Sequence, residues 1–246
     1  MEWVKEFYSR TGDWWAGAEA VVTDEDRQRA AAIRAHAGDG PRRVLELGSG
    51  YGAAAVATAL AGHTVTAVEL GDRATHTPRL AARHHVPDDR LTLVRGDFYQ
   101  VRLDGRFDAV TYWDGFGVGT DDDQRRLLTR IARDWLTPGG VALIDVYNPF
   151  VWAARHGTRE HRDRRPADGY PYELEKLLTF DPHTSTATDT WWETAHPERR
   201  LSQRLRCYTP ADLTLLLTGT GLHLEEVHPD GDLRDTAWSY LAVLTG

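Results

Sequence analysis

The chain has 246 residues, 41% of them hydrophobic, and a formal net charge of −8 at pH 7. This composition predicts a folded globular protein and argues against a nucleic-acid partner, because an acidic surface repels a phosphate backbone. No apolar run reaches the roughly 18 residues of a membrane helix, and the first ten residues lack the apolar segment of a signal peptide. We therefore expect a cytoplasmic protein without a membrane partner.

Predicted strands and helices alternate through the first 150 residues. An aromatic stretch at residues 1–22 precedes a helix that begins after Thr23, where "TDED" supplies an N-cap and an acidic first turn. Five apolar strands then alternate with helices: RRVLELGSG, HTVTAVEL, LTLVRG, FDAVTYW and VALIDVY. This order predicts a doubly wound α/β fold with a mostly parallel sheet, in which a ligand binds at the carboxyl ends of the strands.

The pattern changes after Pro149, which we interpret, together with Asn148, as a turn. Residues 151–208 are polar, aromatic and rich in β-formers, and they predict an antiparallel insert that serves as a lid. The last residues predict one capped helix and two strands. We therefore divide the chain into N-terminal cap helices (1–39), a core (40–150), the insert (151–208) and a segment that completes the core (209–246).

The first strand leads into the turn "ELGSGYGA", with glycines at alternate positions. Strand–turn–helix units of this kind hold either a nicotinamide dinucleotide or S-adenosylmethionine, and Gly48, Gly50 and Ala53 also fit a relaxed dinucleotide fingerprint. Glu46 favours S-adenosylmethionine. A carboxylate that enters the turn suits the ammonium and sulfonium of that nucleoside and is badly placed beside a pyrophosphate.

Acidic residues also follow the next strands. Glu69 ends the second strand, where an acid that binds ribose hydroxyls is expected in either kind of protein. Asp97 directly follows the third strand, where a carboxylate can accept from an adenine amino group while Phe98 lies against the ring. The fourth strand ends in the polar and aromatic pair Trp113 and Asp114. These positions predict a nucleoside site at one edge of the sheet.

The motifs ELGSGYG, VEL, GDF, FDAVTYWDGFG and LTPGG, in this order, resemble those of the class I S-adenosylmethionine-dependent methyltransferases, particularly bacterial small-molecule enzymes. The resemblance covers residues 40–148 well and residues 208–246 loosely. It implies a Rossmann-like, mostly parallel seven-stranded sheet whose last strand is antiparallel. It also implies S-adenosyl-L-methionine as cofactor and methyl transfer to nitrogen or oxygen of a small molecule of secondary metabolism.

The resemblance assigns roles to individual residues. The glycine turn and Glu46 are expected to hold the methionine part of the cofactor, Glu69 the ribose, and Asp97 with Phe98 the adenine. The aromatic N-terminal stretch is expected to fold over the cofactor, with Tyr8, Trp14 and Trp15 as candidate caps. The cofactor-binding residues expected in full are Glu46, Gly48, Ser49, Gly50, Gly52, Glu69, Leu70, Gly96, Asp97, Phe98, Trp113 and Trp14.

Four residues are candidates for catalysis: Asp114, Tyr8, His156 and His161. A hydroxyl acceptor needs a base, and the two histidines lie just past the fifth strand, although solvated loop histidines are the alternative interpretation. Because no base stands out, we favour a nitrogen acceptor. The insert supplies the expected pocket for an aromatic or hydrophobic acceptor, built from Trp152, Trp191, Trp192 and Arg206.

Two other functions fit the same glycine turn, namely a nicotinamide-dependent oxidoreductase and a nucleoside-binding homologue without activity. The acidic residues 121–123 are interpreted as a helix start, and we expect no metal site from Asp114, Asp145 and Asn148. We leave open whether the protein forms a homodimer.

Overall fold

The computed structural model describes residues 2–246, apart from the side chains of residues 2, 3 and 16. The strands are β1 (Arg43–Leu47), β2 (Thr64–Glu69), β3 (Leu91–Arg95), β4 (Phe107–Phe116), β5 (Leu136–Tyr147), β6 (Arg159–Arg162), β7 (Leu174–Asp181), β8 (Thr186–Glu193), β9 (Leu201–Arg206), β10 (His223–Pro229) and β11 (Ser239–Thr245). The α-helices are α1 (Glu2–Arg10), α2 (Gly12–Glu19), α3 (Asp24–Ala37), α4 (Ala53–Leu60), α5 (Thr77–Arg83), α6 (Asp121–Arg130), α7 (Pro149–Ala154) and α8 (Pro210–Leu217).

Seven strands form the central sheet, in the order β10-β11-β5-β4-β1-β2-β3. Strands β1 to β5 pair in parallel, whereas β11 is antiparallel to both β5 and β10. This sheet confirms the predicted doubly wound, mostly parallel fold. Helices must cover both faces of such a sheet, which is why its central strands are almost continuously apolar.

Two hydrophobic clusters fill the two faces of the sheet. Leu45 and Leu47 pack with residues of α6 and α8 on one face, and Val44 packs with residues of α3, α4 and α5 on the other. All three side chains are fully buried. Alternate residues of one strand therefore support both layers, as the two-residue period of a strand requires.

A second, four-stranded sheet with the order β6-β7-β8-β9 is antiparallel throughout. It confirms the predicted β-rich insert after the fifth core strand. The insert is joined to the core where the Arg206 backbone N–H donates to the Gly117 carbonyl over 2.9 Å. Buried apolar residues cover this junction: Val118, Trp152, Leu178, Ala187, Leu205 and Cys207.

Helix boundaries follow local capping chemistry. Thr23, Thr120 and Thr209 each begin a helix with a capping box, in which the N3 residue is an aspartate. The interpretation of Asn148 and Pro149 as a simple turn was wrong. Asn148 accepts the Phe150 N–H and caps the short helix α7, because a proline at N1 favours the start of a helix.

Two further boundaries differ from the sequence-based expectation. The helix expected after the second strand divides into a 3-10 turn, Asp72–His76, and α5. Strand β5 begins at Leu136, before Pro138, and is therefore longer than expected. Among the helices that the structure describes, none has the length and apolar character needed to cross a membrane.

Candidate active site

A cavity of about 550 Å³ opens at the carboxyl ends of the parallel strands. Its floor comprises the segments after β1, β2 and β3 and the end of β4. Helices α1 and α2 and the beginning of α3 cover it, and Gln203 of β9 reaches it from the insert. The cavity therefore lies where the topology predicts a ligand.

The glycine turn after β1 has the backbone shape that only glycine adopts without strain. Gly48, Gly50 and Gly52 have φ values of +62°, +55° and +85°. A Cβ on Gly52 would lie 2.4 Å from Thr77 Oγ1, so the close approach of α5 also excludes a side chain there.

Glu69 fixes the glycine turn against the end of β2. Its Oε2 accepts the Gly50 N–H over 2.8 Å and its Oε1 accepts the Gly71 N–H over 2.6 Å. Each carboxylate oxygen keeps a second lone pair that can accept a further bond. The position predicted for ribose binding is therefore also a structural brace for the floor of the cavity.

Glu46 is the most unusual group in the cavity wall. Its side chain is 2% exposed, and its Oε2 has no hydrogen-bond partner among the described residues. Burial raises the pKa of Glu46 to about 8, although the positive charge of Arg29 opposes the shift. Because an unpaired buried carboxylate is costly, this site favours a ligand that brings a cationic hydrogen-bond donor.

Besides Trp15 Nε1 in the cap, two more buried polar atoms beside the glycine turn and β4 have no partner among the residues that the structure describes. They are Ser49 Oγ and Trp113 Nε1, and both residues line the cavity. Buried polar atoms are normally hydrogen-bonded, so each of these marks a place where a polar ligand atom can bind. Together with Glu46, they fit the amino-acid end of a nucleoside such as S-adenosylmethionine.

Asp97 and Phe98 form the far end of the cavity, after β3. Asp97 Oδ1 accepts the Tyr99 N–H over 2.8 Å, which holds this loop in a turn. The Phe98 ring packs edge-on to Tyr112, with ring centroids 5.5 Å apart. An acid and a ring side by side suit an adenine, which needs an acceptor for its amino group and an apolar surface for its face.

Asp114 lies at the other end of the cavity in a strained conformation. Its φ of +52° is uncommon for a residue other than glycine and costs about 1–3 kcal/mol. Its carbonyl accepts the Tyr147 hydroxyl over 2.8 Å, and its carboxylate binds Arg29 over 2.5 Å. These contacts hold the strained residue in place at the cavity wall.

Arg29 links several acids beside Asp114. It also binds Glu25 over 2.8 Å and Asp145 over 3.5 Å. Burial, and then the nearby charge of Asp114, raise the pKa of Asp145 well above its ordinary value. One arginine among three carboxylates leaves this end of the cavity acidic.

Aromatic residues from the N-terminal helices cover the cavity, among them the candidate caps Tyr8 and Trp15. The Tyr8 hydroxyl donates to Gln203 Oε1 over 2.9 Å, which connects α1 to the insert. Trp15 packs edge-on to Trp191 of β8, with ring centroids 5.2 Å apart. The Arg73 guanidinium lies 5.0 Å from the ring centroids of Tyr8 and Tyr51 and so fastens the cap to the core.

The structure brings most of the expected site residues to this one cavity. The predicted residues that line it are Tyr8, Glu46, Gly48, Ser49, Gly50, Glu69, Leu70, Asp97, Phe98, Trp113 and Asp114. Gly52 and Gly96 lie in the adjoining turns and shape the backbone. Trp14 was expected to bind the cofactor but packs behind Trp15, where its Nε1 donates to Glu193 over 3.3 Å.

The two candidate histidines lie outside the cavity. His156 Nδ1 accepts the Phe180 N–H over 3.0 Å in the insert. His161 Nδ1 lies 2.8 Å from Glu175, and this carboxylate raises the pKa of the exposed imidazole. Because both are engaged on the insert surface, the expectation that either one reaches the strand ends finds no support.

The four insert residues expected to line an acceptor pocket also lie elsewhere. Trp152 packs in the junction between insert and core, and Arg206 binds Asp121 over 2.9 Å. Trp191 and Trp192 are buried within the sheet of the insert. The sequence pattern identified an aromatic segment, but Trp152, Trp191 and Arg206 attach the insert to neighbouring elements.

Sequence reasoning missed several residues of the cavity wall: Glu19, Asp26, Arg29, Arg73 and Tyr147. Asp26 was recognised only as part of a helix cap, and Arg29 lies among other arginines of α3 without a distinguishing pattern. Tyr147 ends β5, so its position at the carboxyl end of a parallel strand was an available signal.

The sheet order, the glycine turn and the cavity define the fold of a class I methyltransferase. Residues 44–140 match the family model described as a methyltransferase domain. The match spans less than half of the chain and confirms the resemblance seen in its motifs.

One related sequence comes from a bacterium. A cypemycin N-terminal methyltransferase from a Streptomyces species is 32% identical over 140 residues, which are 56% of this chain and 53% of that protein. The match thus spans about half the length of the relative.

Two solved structures share the fold. The CcbJ methyltransferase from Streptomyces caelestis has a TM-score of 0.78 at 24% identity, over 98% of this chain and 97% of that chain. The 1,6-didemethyltoxoflavin-N1-methyltransferase from Burkholderia thailandensis, solved with S-adenosylhomocysteine, has a TM-score of 0.62 at 19% identity. The latter match covers 100% of this chain and 86% of that chain.

Proposed function

We propose that this protein is an S-adenosylmethionine-dependent methyltransferase that methylates an amine nitrogen of a small natural product. The observation that carries the proposal is the buried Glu46 carboxyl group beside the glycine turn, whose Oε2 has no hydrogen-bond partner among the residues that the structure describes. A cationic amino-acid tail stabilises this group, whereas a pyrophosphate would repel it, which argues against the nicotinamide alternative.

Different residues of the cavity would bind different parts of the cofactor. Glu46 and Ser49 would hold the methionine part, Glu69 the ribose hydroxyls, and Asp97 with Phe98 the adenine. The cofactor supplies a methyl group that is already activated by a sulfonium. The protein's own residues therefore need to align the acceptor, exclude water and take up the proton that the acceptor loses.

The acidic end of the cavity supports an amine as acceptor. The basic residues of the cavity's described lining are Lys5, Arg29 and Arg73, whereas the acids number seven: Glu19, Glu25, Asp26, Glu46, Glu69, Asp97 and Asp114. An excess of carboxylates attracts an ammonium group, and histidine is absent from the described cavity lining. A hydroxyl acceptor would need such a base, and an amine needs only to lose a proton.

The names of two similar proteins support a nitrogen acceptor, although the similar structures also include a mitomycin 7-O-methyltransferase. The cypemycin enzyme is an N-terminal methyltransferase, and the toxoflavin enzyme acts at N1. In this chain, Tyr8, Trp15, Val118 and Tyr147 add an aromatic and apolar surface around the acidic end. We infer an acceptor that carries a basic nitrogen on a hydrophobic or aromatic body.

Isothermal titration calorimetry with S-adenosylhomocysteine and with NAD⁺ tests the cofactor. We expect one equivalent of S-adenosylhomocysteine to bind and NAD⁺ not to bind, and we expect Glu46→Gln to weaken binding at least tenfold. Glu198→Gln, an exposed acid of the insert, is the matched control. Binding of NAD⁺ alone would overturn the proposal.

Paired acceptors test the methylated atom. Aromatic compounds that differ only in an amine or a hydroxyl are incubated with the enzyme and S-adenosylmethionine, and the products are analysed by mass spectrometry. We expect methyl transfer to the amine members; transfer to the hydroxyl members alone would contradict a nitrogen acceptor. The homodimer, the cytoplasmic location and the domain boundaries stay predictions.

A further inference from the structure

Two histidines and a glutamate meet at an edge of the central sheet, away from the cavity. His36 lies in the last turn of α3, and Glu226 and His228 lie on the edge strand β10. One ligand atom from each residue lies within 4.8 Å of the other two. We refer to His36, Glu226 and His228 as the edge trio.

The fold explains why these residues meet. Glu226 and His228 are two residues apart on one strand, so their side chains project from the same face of the sheet. His36 follows Arg29 by two helical turns and lies on the same side of α3. Because Arg29 reaches Asp145 on β5, the helix carries His36 along the sheet towards β10.

The trio combines one hydrogen bond with a longer approach of His36, so its ligand atoms lie close enough for a metal ion to draw them together. Glu226 Oε2 lies 2.8 Å from His228 Nε2, whereas Glu226 Oε1 lies 3.9 Å from His36 Nδ1. The second distance is too long for a hydrogen bond. Around a tetrahedral Zn²⁺ with bonds of about 2.0–2.2 Å, ligand atoms are about 3.4 Å apart. Metal binding would therefore replace the hydrogen bond between His228 and Glu226 and bring His36 closer by about 0.5 Å.

We propose that the edge trio binds a divalent transition-metal ion such as Zn²⁺ through two imidazole nitrogens and one carboxylate. This ligand set suits Zn²⁺ and leaves a fourth position for water. The Glu226 and His228 side chains are each 49% exposed, so the ion has a direct path from solvent. The His36 side chain is 16% exposed and would anchor the ion on the helix side.

The proposed ion connects two elements that are far apart in sequence. It ties the end of α3 to β10, and α3 also carries Asp26 and Arg29 into the cavity. Metal binding would therefore stabilise the native fold, since an ion that binds only the folded state shifts the unfolding equilibrium. The sequence alone gave no signal for this site, because 190 positions separate His36 from Glu226.

The test uses the full chain without a histidine tag, stripped with a chelator. Zn²⁺ binding is measured by calorimetry, Co²⁺ coordination by visible absorption, and thermal stability by differential scanning fluorimetry. We expect one equivalent of Zn²⁺, a four- or five-coordinate Co²⁺ spectrum and a higher Tm. His36→Ala and His228→Ala should each weaken Zn²⁺ binding at least tenfold.

His161→Ala is the matched control. His161 lies on the insert with Glu175 at 2.8 Å and Asp163 at 3.3 Å, so it reports adventitious binding to an exposed histidine among acids. His36→Gln and His228→Gln replace any alanine variant that fails to fold. The proposal is overturned if Zn²⁺ does not bind, or if only His161→Ala weakens Zn²⁺ binding. Neither result involves S-adenosylhomocysteine, so the failure of this proposal can be distinguished from the failure of the proposed function.

Discussion

Glu46 is the residue on which the cofactor assignment depends. Its position two residues before the first glycine made it predictable from the sequence, because the end of a parallel strand faces the ligand edge of the sheet. Neither its raised pKa nor the lack of a partner for Oε2 within the described part of the chain was predictable. Both follow from long-range packing, which buries the carboxyl group and brings Asp26 of α3 near it, while Arg29 opposes the pKa shift.

The pH dependence of ligand binding is the first consequence at this scale. An ammonium ligand needs the carboxylate form of Glu46, whose pKa is about 8. We therefore expect the affinity for S-adenosylhomocysteine to rise roughly tenfold per pH unit between pH 6 and 7.5, and to level off near pH 8. Below the pKa of Glu46, ligand binding should release about one proton from the protein. Calorimetry in buffers of different ionisation enthalpy measures this proton as it is taken up by the buffer.

The control for this profile is Glu46→Gln, which removes the titrating group and should bind weakly with little pH dependence. Wild-type affinity that stays constant over the same range would show that Glu46 does not face the ammonium.

At the scale of elements, the N-terminal helices are attached to the core by Arg73. Its guanidinium lies 5.0 Å from the Tyr8 ring and 5.6 Å from the Trp15 ring, and Nη2 donates to Thr11 Oγ1 over 2.9 Å. Each cation–π contact contributes about 0.5–1 kcal/mol at a partly exposed site. A planar guanidinium makes these contacts and the hydrogen bonds at the same time, which lysine does not.

Arg73→Ala should therefore loosen α1 and α2 while the core stays folded. We expect faster hydrogen exchange and earlier proteolytic cleavage in residues 2–19, and weaker binding of S-adenosylhomocysteine. Arg95→Ala is the matched control, because Arg95 is exposed and pairs with Asp72 at the surface. Exchange rates that do not change in Arg73→Ala would contradict the attachment.

The core elements were predictable and the attachments between elements were not. Apolar strands and threonine caps are local signals, and the central sheet and most helix starts agree with them. The positions of Trp14, Trp152 and Trp191 depend on how the insert meets α1 and α2. Contacts between distant segments leave no periodic pattern in the sequence, and these tryptophans were therefore assigned to a pocket that they do not line.

At the scale of the whole molecule, buried acids set the dependence of stability on pH. Burial raises the pKa values of Glu46 and Asp145 above their ordinary values of 4.5 and 3.8. Between the ordinary and the raised values, the folded protein holds protons that the unfolded chain has released. The free energy of unfolding therefore decreases as the pH rises through this window.

The Tm of the ligand-free protein should accordingly fall between pH 5.5 and 8. S-adenosylhomocysteine should restore part of the loss at pH 8, because its ammonium stabilises the Glu46 carboxylate. Glu46→Gln should reduce the slope. Differential scanning fluorimetry across this pH range measures the wild-type Tm, the effect of S-adenosylhomocysteine and the slope of the variant. A wild-type Tm that rises with pH would contradict the assignment of buried protonated acids.

A crystal structure with S-adenosylhomocysteine, grown above pH 8, tests the central claim most directly. The expected result is the ligand's amino group within hydrogen-bond distance of Glu46, with the adenine between Asp97 and Phe98. Density for the ligand outside this cavity, or with its amino group directed away from Glu46, would contradict the account.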